Sequence, residues 1–400
     1  MENKTLTGPK GFLAAGVICG IKKSGKADMG MIVCPGGAKA AAVFTTNQIV
    51  SAAVDICRQH LSSREIEAVV VNSGNANTCT GKKGIKDALR MCDLAAEEIE
   101  SDGENVLVAS TGIIGEFLPM EKVEAGIKLA TGKLGANAKA GMDFAKAIMT
   151  TDTKVKQAFG ELSISGRKVL IAGTAKGAGM IGPNMATTLC FITTDIAMSK
   201  GLLQKALGEA IGESLNKLTV DGHQSTNDTA ILLGSGLAGN KLISKQDGNY
   251  RKFYKVLSDV CSELARQMAL DAEGATRMFK VVINGAANKS DAGIAARAIA
   301  NYDLIKCAVH GGDPNWGRII CAVGSTAVKL NAEKLSCKLD NLTVFKNGRP
   351  CKFDRKKASK IVSQKTHTIT VDLGVGKASD LCYGCDLSRE YVMINADYHT

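Results

Sequence analysis

Between residues 177 and 195 the chain reads GAGMIGPNMATTLCFITTD. Three glycines and Pro183 fall within seven positions, and an apolar, strand-like run starts at Thr187. Glycine reaches backbone conformations closed to other residues, and proline disrupts both helix interiors and strand ladders. The run LCFI asks for a buried strand instead. Any fold of this chain must therefore carry a tight loop straight into a core strand near its middle.

Strand-like and helical patterns alternate around that point. EAVVVNSG (67–74) and NVLVASTG (105–112) read as buried strands. Ile85, Leu89, Cys92, Ala96 and Ile99 recur at helical spacing, as do Met120, Val123 and Ile127 behind Pro119, and Ala140, Phe144 and Ile148. ELSISGRKVLIAG (161–173) predicts a hairpin. Beyond Thr187, helices are expected through Leu203, Ala206, Ala210 and Leu215, through Phe253, Val256, Val260 and Leu264, and over 294–302. TAILLGSG and RMFKVVING read as strands, and the last portion is richer in strands, with an Asn-Gly turn in LTVFKNGRP and period-two alternation in HTITVDLG. The expected class is α/β or α+β, without repeats or low-complexity linkers.

Composition excludes several functions. Hydrophobic residues make up 45% of the chain and charged ones 22%, as in ordinary globular proteins. The longest apolar stretches, such as GFLAAGVICGI, fall short of the ~20 residues a membrane helix needs. The polar start MENKTLTGPKGF lacks the profile of a signal or transit peptide, so a cytoplasmic protein with no membrane partner is expected. The net charge of +11 invites nucleic acid as a partner. However, the basic residues are dispersed among acidic ones, as in KKGIKDALRMCDLAAEEIE, and no nucleic-acid motif appears. Thirteen cysteines lie singly in apolar contexts and read as reduced core residues. Cys382 and Cys385 form one CxxC without a second pair or a histidine at ligand spacing, so no metal is expected.

Chemistry enters at the loop. A threonine hydroxyl is a poor nucleophile unless a base stands beside it. Cutting the preceding peptide bond supplies one, because the new α-amine titrates near ~7.7–8.0. Glycines and Pro183 could bring the Ala186 carbonyl to the Thr187 hydroxyl, with the strand beyond holding Thr187 from the other side. Glycine-rich loops before strands are also common, and threonine is at home in strands. The residues alone leave both readings open.

KGAGMIGPNMATTLCFITTD resembles the cleavage-site signature of the ornithine acetyltransferase family. GFLAAGVICGIKKSGKADMG, AAAVFTTNQIVSAAV, VVNSGNANTCTG, STGIIGEFLP and AIMTTDT resemble the family in order before that site. TVDGHQSTNDT, DAEGATRMF, GGDPNWGRI and YVMINADYHT do so after it. Thr188 departs from the family, which usually has methionine there; the NMAT match favours cleavage between Ala186 and Thr187.

The resemblance implies a self-processing, N-terminal-nucleophile-type sandwich of sheets and helices, cut into residues 1–186 and 187–400. Thr187 becomes the nucleophile, and Thr111 and Gly112 the oxyanion donors. Thr150, Lys176, Thr187, Glu273, Asn395 and Thr400 become substrate contacts. Lys176 suits an α-carboxylate, whereas Glu273 suits an ornithine ammonium or a proton transfer. Asn395 and Thr400 require the C-terminus to fold back over the site. The implied reaction moves acetyl from N2-acetyl-L-ornithine to L-glutamate in arginine biosynthesis, with no resident cofactor. Bifunctional members also take acetyl-CoA, and no sequence feature here separates them from the rest. Two cleaved pairs are expected to associate as an α2β2 heterotetramer. Two rivals stay open: an N-terminal-nucleophile amidase or aminopeptidase with water as acceptor, and an uncleaved binding protein. His223 and His310 lack partners for a nucleophilic scheme and read as structural, as does the turn around Trp316.

Overall fold

A computed structural model describes residues 3–63, 65–182 and 188–397. The first half holds β1 (Leu13–Val17), β2 (Met29–Phe44), α1 (Ala52–His60), β3 (Ile66–Asn75), α2 (Gly81–Ile99) and β4 (Val106–Ile113). It continues with α3 (Met120–Thr131), α4 (Ala138–Ala147), β5 (Lys156–Ile164) and β6 (Arg167–Lys176). Then come β7 (Leu189–Thr194), α5 (Lys200–Gly212), β8 (Thr229–Gly234), α6 (Gly248–Leu270), β9 (Met278–Ala286) and α7 (Lys289–Asn301). The chain continues through α8 (Asp303–Gly311), α9 (Trp316–Gly324), β10 (Ser336–Leu339), β11 (Leu342–Lys346) and β12 (Arg349–Pro350). It closes with α10 (Arg355–Val362), β13 (Thr366–Asp372), β14 (Ala378–Cys385) and α11 (Arg389–Ala396).

The larger sheet runs β4-β3-β2-β8-β7-β6-β5, with β1 on β2. Its long strand β2 changes partners midway. Met29–Val33 pairs with β1 and β3, and Lys39–Phe44 pairs with β8. The join is a Pro35-Gly36-Gly37 kink in which Pro35 and Gly36 are exposed and Gly37 has φ 72°. β7 and β8, which follow the glycine loop, lie parallel to each other between β2 and β6, both of which precede it.

Every residue of β7 and β8 is buried. Leu189, Phe191, Ile231 and Leu233 enter a core shared with α1–α4, and the Phe144 ring meets Phe191 edge-on at 5.4 Å. Cys190, Ile192, Ala230 and Leu232 face a second core under α5 and α6. A strand covered on both faces reads as an unbroken apolar run, which explains why LCFI follows the loop without alternation.

The smaller sheet, β12-β11-β10-β13-β9-β14, packs a third core against α7–α10. Both hairpin signals hold. Ser165 and Gly166 (φ 49° and 77°) turn β5 into β6, and Asn347 and Gly348 (φ 51° and 71°) turn β11 into β12. These are the positive angles that two-residue hairpin turns need. One helical face is rotated from the expected one, and one helix ends earlier than expected. Ile85 and Leu89 are exposed, while Ala88, Met91 and Ala95 carry the buried stripe of α2. Leu215 lies past the end of α5, in a 3-10 turn. The GGDPNW turn joins two helices the sequence pattern did not reveal, α8 and α9, and Trp316 stacks on Phe345 at 5.1 Å. Among the described residues, no helix is long and apolar enough to cross a membrane.

In the third core, His367 lies 4% exposed against the Phe279 ring, and neither of its ring nitrogens has a partner among the described residues. Burial pushes its pKa down to about 4. The unfolded chain takes up this proton below ~6.5 and the folded one only near 4, so stability is whole above pH 6.5 and falls between those values. Acidification across that window should cost about 3 kcal/mol at this position. Urea titrations at pH 7 and pH 4.5 check it: His367→Phe should lose less stability between the two than the parent.

Candidate active site

Thr111 and Gly112 lie in the last three residues of strand β4, where its parallel pairing with β3 slips around Gly74 and Asn75. Gly112 has φ 138°, and a Cβ there would stand 2.2 Å from the Gly74 carbonyl carbon. Only glycine allows this close approach. Asn227, just ahead of β8, secures the same end. Its Nδ2 donates to the Ser110 carbonyl at 2.7 Å and to the Ala76 carbonyl at 2.6 Å. The Ser110 hydroxyl donates to Asn72 Oδ1 at 2.6 Å.

Lys176, the last residue of β6, reaches across to this end. Its Nζ donates to Thr111 Oγ1 at 2.5 Å, and the side chain is fully buried. Burial lowers its pKa, while Asp152 is the leading opposing influence. The Asp152 carboxylate accepts from Gly177 N at 2.8 Å and from Thr150 N at 3.1 Å, fixing the backbone beside two expected substrate contacts. It also pairs with buried Lys156, whose Nζ donates to Asp271 at 2.6 Å. Burial alone would raise the Asp152 pKa, but the Lys156 and Lys176 charges hold it below the usual carboxylate range. Asp271 in turn accepts from Thr153 N and Lys154 N, each at 3.1 Å.

Two residues on, Glu273 N donates to the Ala178 carbonyl at 2.8 Å. Its carboxylate lies so close over Gly179 that a Cβ there would come within 2.2 Å. The C-terminal helix folds back as expected: Asn395 Nδ2 donates to Glu273 Oε2 at 2.9 Å, and Tyr391 OH donates to Asp221 at 3.1 Å. At the start of β7, Thr188 N donates to Asp228 Oδ1 at 2.7 Å. That carboxyl is fully buried, and burial pushes its pKa well above the carboxylate range.

One cavity of about 110 Å³ is lined by Thr111, Gly112, Thr150, Lys176, Glu273 and Asn395 together with Thr151, Gly179, Ser225 and Asn227. Six expected residues, drawn from segments up to 284 positions apart, thus share one space. Ala186, Thr187 and Thr400 lie outside the described residues. His223 stands 3.4 Å from Asp221, and His310 Nδ1 is 2.8 Å from Asp386; neither lines this cavity. All thirteen cysteines are free, and no metal-binding cluster occurs among the described residues.

Sequence reading missed the supports. Asp152 and Lys156 stand in the TTDTKVK stretch, and Asn227 and Asp228 in STND. The available signal was charged or amide side chains inside otherwise family-like motifs; that they are buried appears only in three dimensions.

Lys156→Met should remove the cation that bridges two buried carboxylates, at a cost of about 3–5 kcal/mol. Thermal unfolding at neutral and acidic pH checks it. The deficit should narrow in acid, where the carboxylates take up protons.

The sequence model of the ArgJ family matches residues 13–400. The arginine biosynthesis bifunctional protein ArgJ of Symbiobacterium thermophilum is 44% identical over 99% of this chain and 98% of its own. Its counterpart from Bacillus thuringiensis is 43% identical over 100% of this chain and 98% of its own. A crystal structure of the arginine biosynthesis bifunctional protein from Bacillus halodurans superposes with a TM-score of 0.51 at 39% identity. It covers 52% of this chain and 98% of that one.

Proposed function

The chain belongs to the ArgJ family, and we propose on that premise that it transfers acetyl from N2-acetyl-L-ornithine to L-glutamate through an acetyl ester on Thr187. The observation that carries the reading is the Thr111–Gly112 strand end, which opens on the cavity shared with Thr150, Lys176, Glu273 and Asn395. A hydroxyl and a backbone N–H held at a rigid strand end are preorganised donors for an oxyanion.

The chain first cuts itself between Ala186 and Thr187. The freed α-amine of Thr187 then takes the hydroxyl proton as the oxygen attacks the acetyl carbon. Thr111 and Gly112 meet the negative oxygen of the tetrahedral intermediate. The C–N bond breaks, the amine returns the proton to the departing ornithine nitrogen, and acetyl remains on Thr187. The glutamate α-amine reverses these steps. Glu273 and Asn395 offer a joined carboxylate and amide to the amino-acid substrates, and Lys176 supplies positive charge.

Strand order supports a cut that leaves one molecule. Residues 187–400 would contribute β7 and β8 between β2 and β6 of residues 1–186, so the fragments would share two strand-pair interfaces of six residue pairs each. The Bacillus halodurans chain, matched almost entirely by about half of this one, also has the length of a single fragment. Two cleaved pairs assemble as an α2β2 heterotetramer in the cytoplasm.

A groove of about 370 Å³ favours acetyl-CoA as a second donor. It shares Thr150 and Thr151 with the cavity and carries Ile21, Phe117 and Pro119 beside Lys22, Lys23 and Lys26. Apolar walls and lysines suit a pantetheine arm and its phosphates, with Glu116 the opposing charge.

Intact-mass measurement after denaturation should give two species, and Thr187→Ala should give one uncut, inactive chain. Acetyl transfer should require glutamate; release of free acetate without it would favour the amidase reading. Lys23→Glu combined with Lys26→Glu should raise KM for acetyl-CoA about tenfold relative to KM for N-acetylornithine, in steady-state assays with each donor.

A further inference from the structure

The proposed reaction leaves open why a fully buried ammonium ends on a hydroxyl rather than on a carboxylate. Lys176 Nζ stands 2.5 Å from Thr111 Oγ1. Neither the Thr111 hydroxyl nor the Lys176 ammonium has another hydrogen-bond partner among the described residues. Both backbones are pinned. Thr111 is held by the β3–β4 ladder and by Asn227 on the Ser110 carbonyl. Lys176 is held by its pairing with Leu189 and by Gly177 N on Asp152.

We propose that Lys176 is a positioning residue that acts through Thr111: by occupying the hydroxyl oxygen as donor, it turns the Thr111 proton toward the cavity, where the oxyanion forms. The inference rests on the proposed acyl transfer and assigns Lys176 a different role from gripping a substrate carboxylate. A threonine hydroxyl has one proton and rotates to suit its surroundings. With its oxygen committed to an ammonium, donation back toward Lys176 is closed, because an ammonium has no lone pair. Accepting a charge-assisted hydrogen bond also polarises the O–H and strengthens its own donation. Burial works against the ammonium, with Asp152 first among the groups that oppose it. Asp152 therefore serves the oxyanion donors indirectly, by opposing the burial cost of the Lys176 ammonium and by fixing its backbone through Gly177 N.

A double-mutant cycle tests this in the full-length protein, read as turnover per cleaved chain with N-acetylornithine and glutamate. Where a variant arrests before cleavage, the cycle is read on cleavage rate instead. Thr111→Ala should lower kcat by about 10²–10³. Lys176→Met should lower kcat by a similar factor and leave both KM values nearly unchanged. The double variant should fall within about threefold of Thr111→Ala alone, since the lysine has nothing left to orient. Losses that multiply in the double variant would overturn the proposal, as would a Lys176→Met effect carried by KM.

Thr111→Ser guards against a folding artefact. In that background the hydroxyl remains, so Lys176→Met should again be costly, and an equal indifference to Lys176→Met in the Ser and Ala backgrounds would overturn the relay. Absence of acetyl transfer by the parent enzyme would instead overturn the functional reading, and the cycle would then be decided on cleavage.

Discussion

Two strands inserted between two others are the constraint on which the rest depends. β7 and β8 stand between β2 and β6, covered on both faces, so neither half of the chain can complete the larger sheet alone. The pairing also fixes where strand ends and turns emerge. Lys176 leaves β6 directly opposite Leu189 as it enters β7, and Asn227 and Asp228 arrive just ahead of β8. Asn227 then reaches the last residues of β4. The candidate site is built on strand ends, and strand ends in a doubly covered sheet have little freedom to shift.

Electrostatics refine what the strands place. Asp152, Lys156 and Asp271 are all buried, and each carboxylate also collects backbone N–H groups from loops beside the cavity. Taking such charges out of water costs several kcal/mol per ion, so an arrangement of this kind is a poor source of stability. Its effect is geometric. It ties the Thr150 loop to the end of β6 and to the turn carrying Glu273, and leaves Lys176 free to reach Thr111. Asp228, buried on Thr188 N with a strongly raised pKa, stands just ahead of β7 and β8.

Most of the strands, several helices and both hairpin turns were legible in the sequence, because burial periodicity and positive-φ turn residues are local properties. Thr111, Gly112, Thr150, Lys176, Glu273 and Asn395 were legible only as pieces of ordered motifs resembling a known family. The stripe of α2 was misjudged because Ile85 and Leu89 are apolar but exposed, and apolarity alone does not decide which face meets a core. Helices α8 and α9 were missed because GGDPNW is a strong turn signal that hides the short elements on either side.

The sequence by itself determined the class of fold, the apolar run that becomes core strand β7 from Leu189, and the turn residues of both hairpins. Those follow from backbone preference and side-chain chemistry, which act over a few neighbouring residues. The tertiary structure alone decided that the later strands lie inside the earlier sheet, that Lys176 ends on Thr111, and that a buried ion network spans Asp152 to Asp271. Contacts between residues 65 or more positions apart depend on strand order and register, and on which charges lose their water when the layers close; no local pattern encodes these.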